Sequence, residues 1–149
     1  MRAVVQRVRS ARVRVDGAVV GEVGPGLAAL IGVASDDGPA DVQYIASKIV
    51  ELRVFEDEAG KMNRSLRDID GRILAVSQFT LYCDCRRGRR PSFDKAAAAE
   101  LGRVLFEGVV AGMRAAGATV ETGTFQARMQ VELENDGPVT ILLDSRKLF

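Results

Sequence analysis

The stretch Leu27-Ala28-Ala29-Leu30-Ile31-Gly32-Val33 decides the fold. Apolar residues occupy both of its faces, so it has no polar side to turn toward water as a half-buried strand would. A strand of this composition belongs in the middle of a sheet. The rest of the chain must therefore supply a cover for it.

Two segments with helical periodicity supply that cover. The first follows Gly38-Pro39, where Pro39 suits a first helical turn, and the second begins near Ser92-Phe93-Asp94 and stops at Gly117. The apolar positions are Val42, Ile45, Ile49, Val50 and Leu52 in the first segment, and Ala97, Leu101, Val104, Leu105, Gly108 and Val109 in the second. We predict two amphipathic helices, the second being the longer.

A hairpin precedes the apolar strand. From Ala11 to Val15 the sequence alternates apolar residues with arginines, a pattern typical of a half-buried strand with its arginines on the open face. Asp16-Gly17 suits a type I′ turn, in which both central residues have positive φ. Ala18 to Val23 should therefore return antiparallel to the first strand.

Three further strands are predicted downstream. Arg72 to Gln78 reads as a strand, and Met129 to Glu134 alternates apolar with polar residues. Asn135-Asp136-Gly137-Pro138 has the composition of a tight turn and is predicted to connect that strand to Val139–Leu143. No repeat, linker or low-complexity tract divides the chain, so we expect one domain over residues 1–149.

Composition excludes the commonest catalytic arrangements. The 149 residues include no histidine, which removes the usual general base and the histidine-containing triads. A net charge of only +1 means that any contact with nucleic acid must come from local basic clusters. Cys83-Asp84-Cys85 cannot complete a tetrahedral zinc site, and we expect reduced thiols there, with no metal and no cofactor. We also expect a cytoplasmic protein, because there is no membrane-spanning apolar stretch and no signal-peptide pattern.

The segment Ser77-Gln78-Phe79-Thr80 carries a concentration of hydroxyl and amide groups at the end of a predicted strand. One interpretation is a strand whose polar residues face solvent. A second is a serine nucleophile, which would need a base such as Lys48, Lys61, Lys95 or Lys147, although none stands at a recognisable spacing. A third uses the backbone N–H groups of Gln78, Phe79 and Thr80 to polarise an ester carbonyl, which requires no titratable side chain.

Two arginine clusters could meet an anionic ligand. Arg86, Arg87, Arg89 and Arg90 form a compact run, and Arg7, Arg9, Arg12 and Arg14 recur near the start of the chain. Arginine binds phosphate oxygens with paired N–H groups, so the first cluster is a candidate for binding an RNA backbone. A solvated basic loop without a ligand is the alternative.

Ser77-Gln78-Phe79-Thr80-Leu81 and Asn135-Asp136-Gly137-Pro138-Val139-Thr140 together resemble the two signature motifs of D-aminoacyl-tRNA deacylases. The resemblance covers the whole chain, including its first eight residues, Arg90-Pro91-Ser92-Phe93 and Leu143-Asp144-Ser145. It implies an α/β domain of the α+β type, in which a mixed, largely antiparallel sheet forms a barrel-like layer covered by two main helices. It also implies a homodimer that acts on the acceptor end of D-aminoacyl-tRNA.

The resemblance assigns roles to particular residues. Gly137-Pro138, with a cis peptide bond, would enter the partner subunit's pocket opposite Ser77–Thr80 and capture the amino group of the substrate through main-chain carbonyls. An L-side chain would then collide with backbone, a D-side chain would point outward, and glycine misattached to alanine tRNA would be accepted. The terminal ribose 2′-hydroxyl would take part in catalysis, leaving Thr80 to position the substrate, although Thr80 as nucleophile stays open.

The terminal adenosine would lie near Phe125 and Met129, for which a core role is the alternative. Gln126 departs from the family pattern, since glycine is expected in Phe-Gly-Ala, and this bears on the shape of the adenosine end of the pocket. We therefore predict a chiral proofreading ester hydrolase. The competing hypotheses are a non-catalytic RNA-binding module and a serine–lysine hydrolase of small esters or peptides.

Overall fold

A computed structural model of the protein describes residues 1–86 and 88–149. Strands and α-helices in these residues run in the order β1 (Arg2–Val15), β2 (Ala18–Val23), β3 (Gly26–Gly32), α1 (Pro39–Glu51), β4 (Phe55–Glu56), β5 (Met62–Arg64), β6 (Arg72–Ser77), α2 (Ala99–Ala115), β7 (Thr119–Thr122) and β8 (Gln130–Asp144). Short 3-10 helices occupy Arg67–Ile69 and Phe79–Tyr82. Neither α-helix in the described residues is long and apolar enough to cross a membrane.

The first strand organises the sheet. On one edge β1 pairs antiparallel with β3 and then β2, and on its other edge it pairs antiparallel with β8. β3 pairs parallel with β6, and β6 pairs parallel with β7. Parallel neighbours need a crossover connection, which α1 provides between β3 and β6 and α2 provides between β6 and β7.

Both faces of β3 are buried, as its composition predicted, but by different means. Leu27, Ala29 and Ile31 pack beneath the two helices in the main hydrophobic core. Ala28 lies on the opposite face, in a second cluster formed by sheet residues such as Leu74. One face is therefore covered by helices and the other by the curling of the sheet on itself.

The curling brings β2 toward β7. At Gly21 a Cβ atom would lie 2.4 Å from the carbonyl oxygen of Thr122, which is backbone and cannot move aside cheaply. Glycine at this position allows the two strands to approach. The predicted class, a mixed sheet in a barrel-like layer with two main helices, is confirmed.

The hairpin prediction near the start of the chain is confirmed. Asp16 and Gly17 have φ values of 49° and 82°, and Val15 pairs with Ala18 across the turn. The strand before the turn is longer than predicted, because it already begins at Arg2. Alternation was not evident there, since arginine and glutamine occupy positions on both faces.

The predicted beginning of the second helix is wrong. The helix starts at Ala99, because backbone hydrogen bonds hold the preceding segment in a non-helical path. Ser92 pairs with Asp84, and the Ala97 N–H donates to the Val33 carbonyl. Leu101 and Val104 are exposed rather than buried. Gly102, Leu105, Phe106, Val109, Val110 and Met113 form the buried face instead.

The predicted turn at Asn135–Pro138 is also wrong. β8 continues through it as one strand, and both halves pair with β1, since Asn135 lies opposite Val8 and Thr140 lies opposite Gln6. The four intervening residues face Arg7 alone, so the segment is a large β-bulge. The residue types that favour a turn also suit a bulge, because both require irregular backbone.

The short strand β7 had not been predicted, since Thr119–Thr122 is too short to show alternation.

Replacing Gly21 by alanine tests the closure of the sheet. We expect Gly21→Ala to lower the free energy of unfolding by roughly 1–3 kcal/mol, because the added methyl group overlaps the Thr122 carbonyl. Gly24→Ala is the matched control, since no heavy atom lies within 4 Å of a Cβ built there. Urea denaturation of both variants checks the prediction, and equal losses would contradict it.

Candidate active site

A cavity of about 550 Å³ opens where β3 and β6 end. Ser77, Gln78 and Phe79 form one side of it, and the segment containing Phe125, Gln126 and Met129 forms another. The remaining lining residues are Val33, Val76, Ala97, Ala99, Gly102, Ala127 and Val131. Ligands in sheets with parallel strands commonly bind beyond the carboxyl ends of those strands, so this cavity is the candidate site.

The turn after β6 is fixed by its contact with β3. The Gln78 N–H donates to the Ile31 carbonyl at 2.8 Å, and the chain then enters the 3-10 helix Phe79–Tyr82. A Cβ atom on Gly32 would lie 2.9 Å from the Gln78 carbonyl oxygen, so glycine is needed for this close approach. Packing of the two strand ends therefore sets the position of the polar segment.

Backbone donors are available in this turn. Within the described residues, the N–H groups of Phe79 and Thr80 form no hydrogen bond, as expected for the first residues of a helix. Thr80 does not line the cavity, and its hydroxyl is hydrogen-bonded to the Gln78 side-chain amide. The chemistry that this edge offers is polarisation of a carbonyl by amides.

No lysine or carboxylate lines the cavity, as far as the structure describes the chain. Lys48 and Lys147 lie near the ring of Tyr44, at 5.7 and 5.8 Å from its centroid. Ser77 makes no hydrogen bond to a basic side chain within the described ranges. The arrangement therefore gives no support to a serine–lysine pair.

Phe125 and Met129 both line the cavity and both contact the core. The Phe125 ring packs against Phe106 at a centroid distance of 6.4 Å, and the Arg103 guanidinium lies 4.6 Å from the Phe125 centroid. Met129 packs against the second hydrophobic cluster. The adenosine and core interpretations of these residues are thus compatible, because each residue has one packed and one cavity-facing side.

Gln126 has a φ of +63°, in the left-handed region that favours glycine. The expectation of glycine at this position therefore has a conformational reason. The side chain is exposed at the rim of the cavity, with its Oε1 atom 3.5 Å from an Arg103 Nη atom. Gln126 consequently adds a polar group at the end of the cavity near Phe125.

Gly137 and Pro138 are exposed on the bulge of β8, and the peptide bond between them is cis. The bulge is held from within by Asn135, whose side chain accepts a hydrogen bond from the Val139 N–H at 2.8 Å and donates to the Val139 carbonyl at 3.1 Å. Gly137 has a φ of +136°, a conformation that side chains rarely adopt. The bulge is therefore a defined structure on the surface.

The buried side chain of Arg7 also stabilises this bulge. It is only 6% exposed, and its Nε atom donates to the Asp136 carbonyl at 2.9 Å while Nη1 donates to the Val54 carbonyl at 2.7 Å. The carboxylates of Asp136 and Glu56 lie 3.4 and 3.5 Å away. Sequence reasoning placed Arg7 in a basic surface cluster and missed this role. No local sequence signal marked it, because the inward-facing alternation of Ala3, Val5 and Arg7 can be recognised only once the strand is known to begin at Arg2.

Sequence comparison identifies the family. The model of the D-Tyr-tRNA(Tyr) deacylase family matches residues 4–144. The chain belongs to this family. Proteins named D-aminoacyl-tRNA deacylase from Symbiobacterium thermophilum and Anaeromyxobacter dehalogenans are each 59% identical to it over 149 residues, covering the whole of this chain and 99% and 100% of theirs.

Two solved structures share the deacylase fold. One, a c-Myc DNA unwinding element binding protein, is 39% identical with a TM-score of 0.91, and the match covers 97% of this chain and 98% of the other. The second, a probable eukaryotic D-amino acid tRNA deacylase, has a TM-score of 0.82 and covers 95% of this chain and 97% of the other. At 20% identity, the second supports the fold alone.

The two motifs that suggested the deacylase family do not meet within one chain. Ser77 is in register, through β3 and β1, with Leu143 of β8, whereas the bulge faces Arg7, which is in register with Ile73. Along the sheet the motifs are therefore about 14 Å apart across the strands and about 13 Å apart along them. Neither Gly137 nor Pro138 lines the cavity.

The basic run after the first motif of this deacylase-family chain is partly neutralised. The Arg86 guanidinium forms an ion pair with Asp84 at 2.5 Å, and this hydrogen bonding holds the pKa of the Asp84 carboxyl well below its usual range. Arg89 and Arg90 are exposed, and the predicted contact Arg87 lies outside the described residues. Cys83 and Cys85 are free thiols, as expected.

Substitution of Arg7 tests its support of the bulge. We expect Arg7→Met to lower the free energy of unfolding by about 2–4 kcal/mol, because it leaves two main-chain carbonyls without their charged donor. Arg9→Met is the control, since Arg9 is 69% exposed and its contact with Asp136 is on the surface. Chemical denaturation compares the two, and a loss as large for Arg9→Met would disprove the special role of Arg7.

Proposed function

We propose that the protein hydrolyses the ester bond of D-aminoacyl-tRNA and releases a free D-amino acid and tRNA. The observation that carries this proposal is the match to the deacylase family over residues 4–144, with Ser77, Gln78 and Phe79 lining the main cavity. A volume of about 550 Å³ suits an amino acid joined to a nucleoside. Because aminoacyl-tRNA is used by ribosomes, we place the protein in the cytoplasm.

The complete site would require two chains. One chain would supply the cavity and its Ser77–Thr80 edge, and the second would insert Gly137 and Pro138. The separation of the two motifs along the sheet of one chain supports this arrangement. So does the exposure of the bulge and of Phe79, which is 56% exposed.

Selection against L-amino acids would then depend on main-chain atoms of the bulge rather than on side chains. The main-chain carbonyls of Gly137 and Pro138 would bind the substrate amino group, which leaves one direction for the side chain of a D-residue and none for that of an L-residue. The anchoring of the bulge by Arg7 and Asn135 supports rigid exclusion. Glycine has no side chain to reject, so glycine misattached to alanine tRNA would also be hydrolysed.

Catalysis would use the substrate's own hydroxyl. The Phe79 and Thr80 amides would stabilise the oxyanion formed when water attacks the ester carbonyl, and the terminal ribose 2′-hydroxyl would relay the proton. The ester C–O bond then breaks and the ribose 3′ oxygen takes up a proton. The absence of histidine and the lack of a described base in the cavity lining support this route, with Thr80 positioning the substrate.

Contacts with the rest of the tRNA would involve the basic run formed by Arg86, Arg87, Arg89 and Arg90. Phe125 and Met129 would border the terminal adenosine. Arg86 is the weakest of the proposed phosphate ligands, because Asp84 already neutralises much of its charge.

Parallel hydrolysis of D-tyrosyl-tRNA and L-tyrosyl-tRNA tests the proposed activity. We expect rapid release of D-tyrosine and no enzyme-dependent release of L-tyrosine, because the L-side chain meets backbone. D-tyrosyl-tRNA ending in 2′-deoxyadenosine should resist hydrolysis if the ribose hydroxyl takes part. Equal hydrolysis of the D- and L-esters, or of neither, would refute chiral proofreading.

Nucleic-acid binding without turnover is the second candidate function. It is favoured by the similar solved structure that carries the name of a DNA unwinding element binding protein. Such a module would bind tRNA in a salt-sensitive manner and leave both tyrosyl esters intact. The same hydrolysis experiment therefore separates the two functions.

Mixing of variants tests the two-chain site. Gln78→Ala alters the cavity side, and Gly137→Val places a side chain against Val139 and Arg7 on the bulge side. Each variant alone should lose most activity, whereas an equal mixture of co-refolded chains should regain about a quarter of the wild-type sites, because half the dimers are mixed and each has one intact site. A mixture as inactive as its components would show that each site lies within one chain.

A further inference from the structure

A second depression lies on the far side of Phe125 from the cavity. It is an open groove of about 510 Å³ between α2 and β7, and its walls include Arg103, Arg114 and Thr122. Phe125 lines both the groove and the cavity. The two spaces are therefore neighbours that share an aromatic wall.

The two arginines of the groove project from the same side of α2. Eleven residues separate Arg103 from Arg114, which is close to three helical turns and about 16 Å along the helix axis. A stacked nucleic acid strand advances about 3.4 Å per nucleotide, so this length accommodates more than one nucleotide. The spacing suits a chain of phosphates better than a single anion.

Neither guanidinium is neutralised by a carboxylate in the described part of the chain. Arg103 contacts the Phe125 ring and Gln126 Oε1, and Arg114 donates one hydrogen bond, 2.6 Å long, to the Val120 carbonyl. By contrast, Arg12, Arg14 and Arg146 each form ion pairs. Five N–H groups per guanidinium leave donors of Arg103 and Arg114 free for a ligand.

One acidic residue, Glu107, also lines the groove. It lies one helical turn beyond Arg103 and forms no ion pair with a described arginine. The groove thus carries two positive charges and one negative charge, a balance that favours an anion while weakening its binding. Removal of the Glu107 charge should therefore strengthen anion binding, whereas removal of either arginine should weaken it.

We propose that this groove binds the phosphodiester backbone of the single-stranded acceptor end of tRNA, directly upstream of the terminal nucleoside. The inference rests on the proposed function, which places the terminal adenosine in the cavity beside Phe125. The preceding phosphate then leaves the cavity at the rim where Arg103 and Gln126 meet, and the strand continues toward Arg114. Thr122 and the Gly123 backbone border this path with polar groups.

The test compares a substrate that has phosphates with one that has none. Arg103→Gln, Arg114→Gln and the double variant are assayed on D-tyrosyl-tRNA and on 3′-O-D-tyrosyl-adenosine over a range of KCl concentrations. On the tRNA, kcat/KM should fall and the slope of its logarithm against log salt should flatten by about 0.7 per arginine. On the adenosine ester, kcat/KM of Arg114→Gln should stay at the wild-type value, because Arg114 does not line the cavity. For Arg103→Gln the loss on the adenosine ester should be smaller than the loss on the tRNA, since Arg103 also packs on the Phe125 ring.

Variants that keep the arginine charge, or that remove the nearby negative charge, test whether charge is the cause of the effect. Arg103→Lys and Arg114→Lys should retain most of the salt dependence, and Glu107→Gln should raise kcat/KM on the tRNA. Arg67→Gln is the matched control, because Arg67 also donates to a main-chain carbonyl, that of Ala116, but lies outside the groove. It should leave both substrates unaffected.

Two outcomes would overturn the groove proposal: equal losses on the two substrates, or no loss on the tRNA. A wild-type protein that hydrolyses neither ester would instead contradict the proposed function. Fluorescence anisotropy measurements of uncharged tRNA binding to the same variants then test the groove proposal independently of hydrolysis. Wild-type affinity in the double variant would refute it, and weakened, less salt-dependent binding would support it.

Discussion

The structure depends on the need to bury both faces of β3. Helices α1 and α2 cover the face that carries Leu27, and the curled sheet covers the face that carries Ala28. Curling requires β2 to approach β7, which glycine at position 21 allows. The cavity lies where this wrapping ends, beyond the last residues of β3 and β6, so the site is a product of the same constraint that forms the core.

Much of this architecture follows from the sequence, because burial of β3, the Asp16-Gly17 turn and the helical periodicities are local patterns. The beginning of α2 and the course of β8 do not follow, since each is set by a distant partner. Because Ser92 pairs with Asp84, α2 begins later in the sequence than its periodicity predicts. Because both halves of β8 pair with β1, the segment predicted as a hairpin turn is a bulge within one strand. Residue composition identified irregular backbone at Gly137-Pro138 but not the strand in which it lies.

The candidate site was likewise predictable from the sequence only in part. Ser77, Gln78, Phe79, Phe125 and Met129 were predicted and all line one cavity. Arg7 was grouped with a basic cluster because arginines recur near the start of the chain, and only the tertiary structure provides the carbonyl groups that accept its hydrogen bonds when it is buried. The placement of Thr80 behind Gln78, and of Gly137 away from the cavity, likewise depends on packing and register rather than on residue type.

The bulge also changes what the outer edge of the sheet can do. β8 is 15 residues long, and one of its edges is unpaired within the described residues, which exposes a row of main-chain groups capable of recruiting strands from other molecules. Pro138 lacks an N–H group, and the bulge interrupts the regular spacing of donors and acceptors. The long edge is thereby divided into two short segments, which restrains open-ended association into fibrils while leaving the surface available for a specific partner.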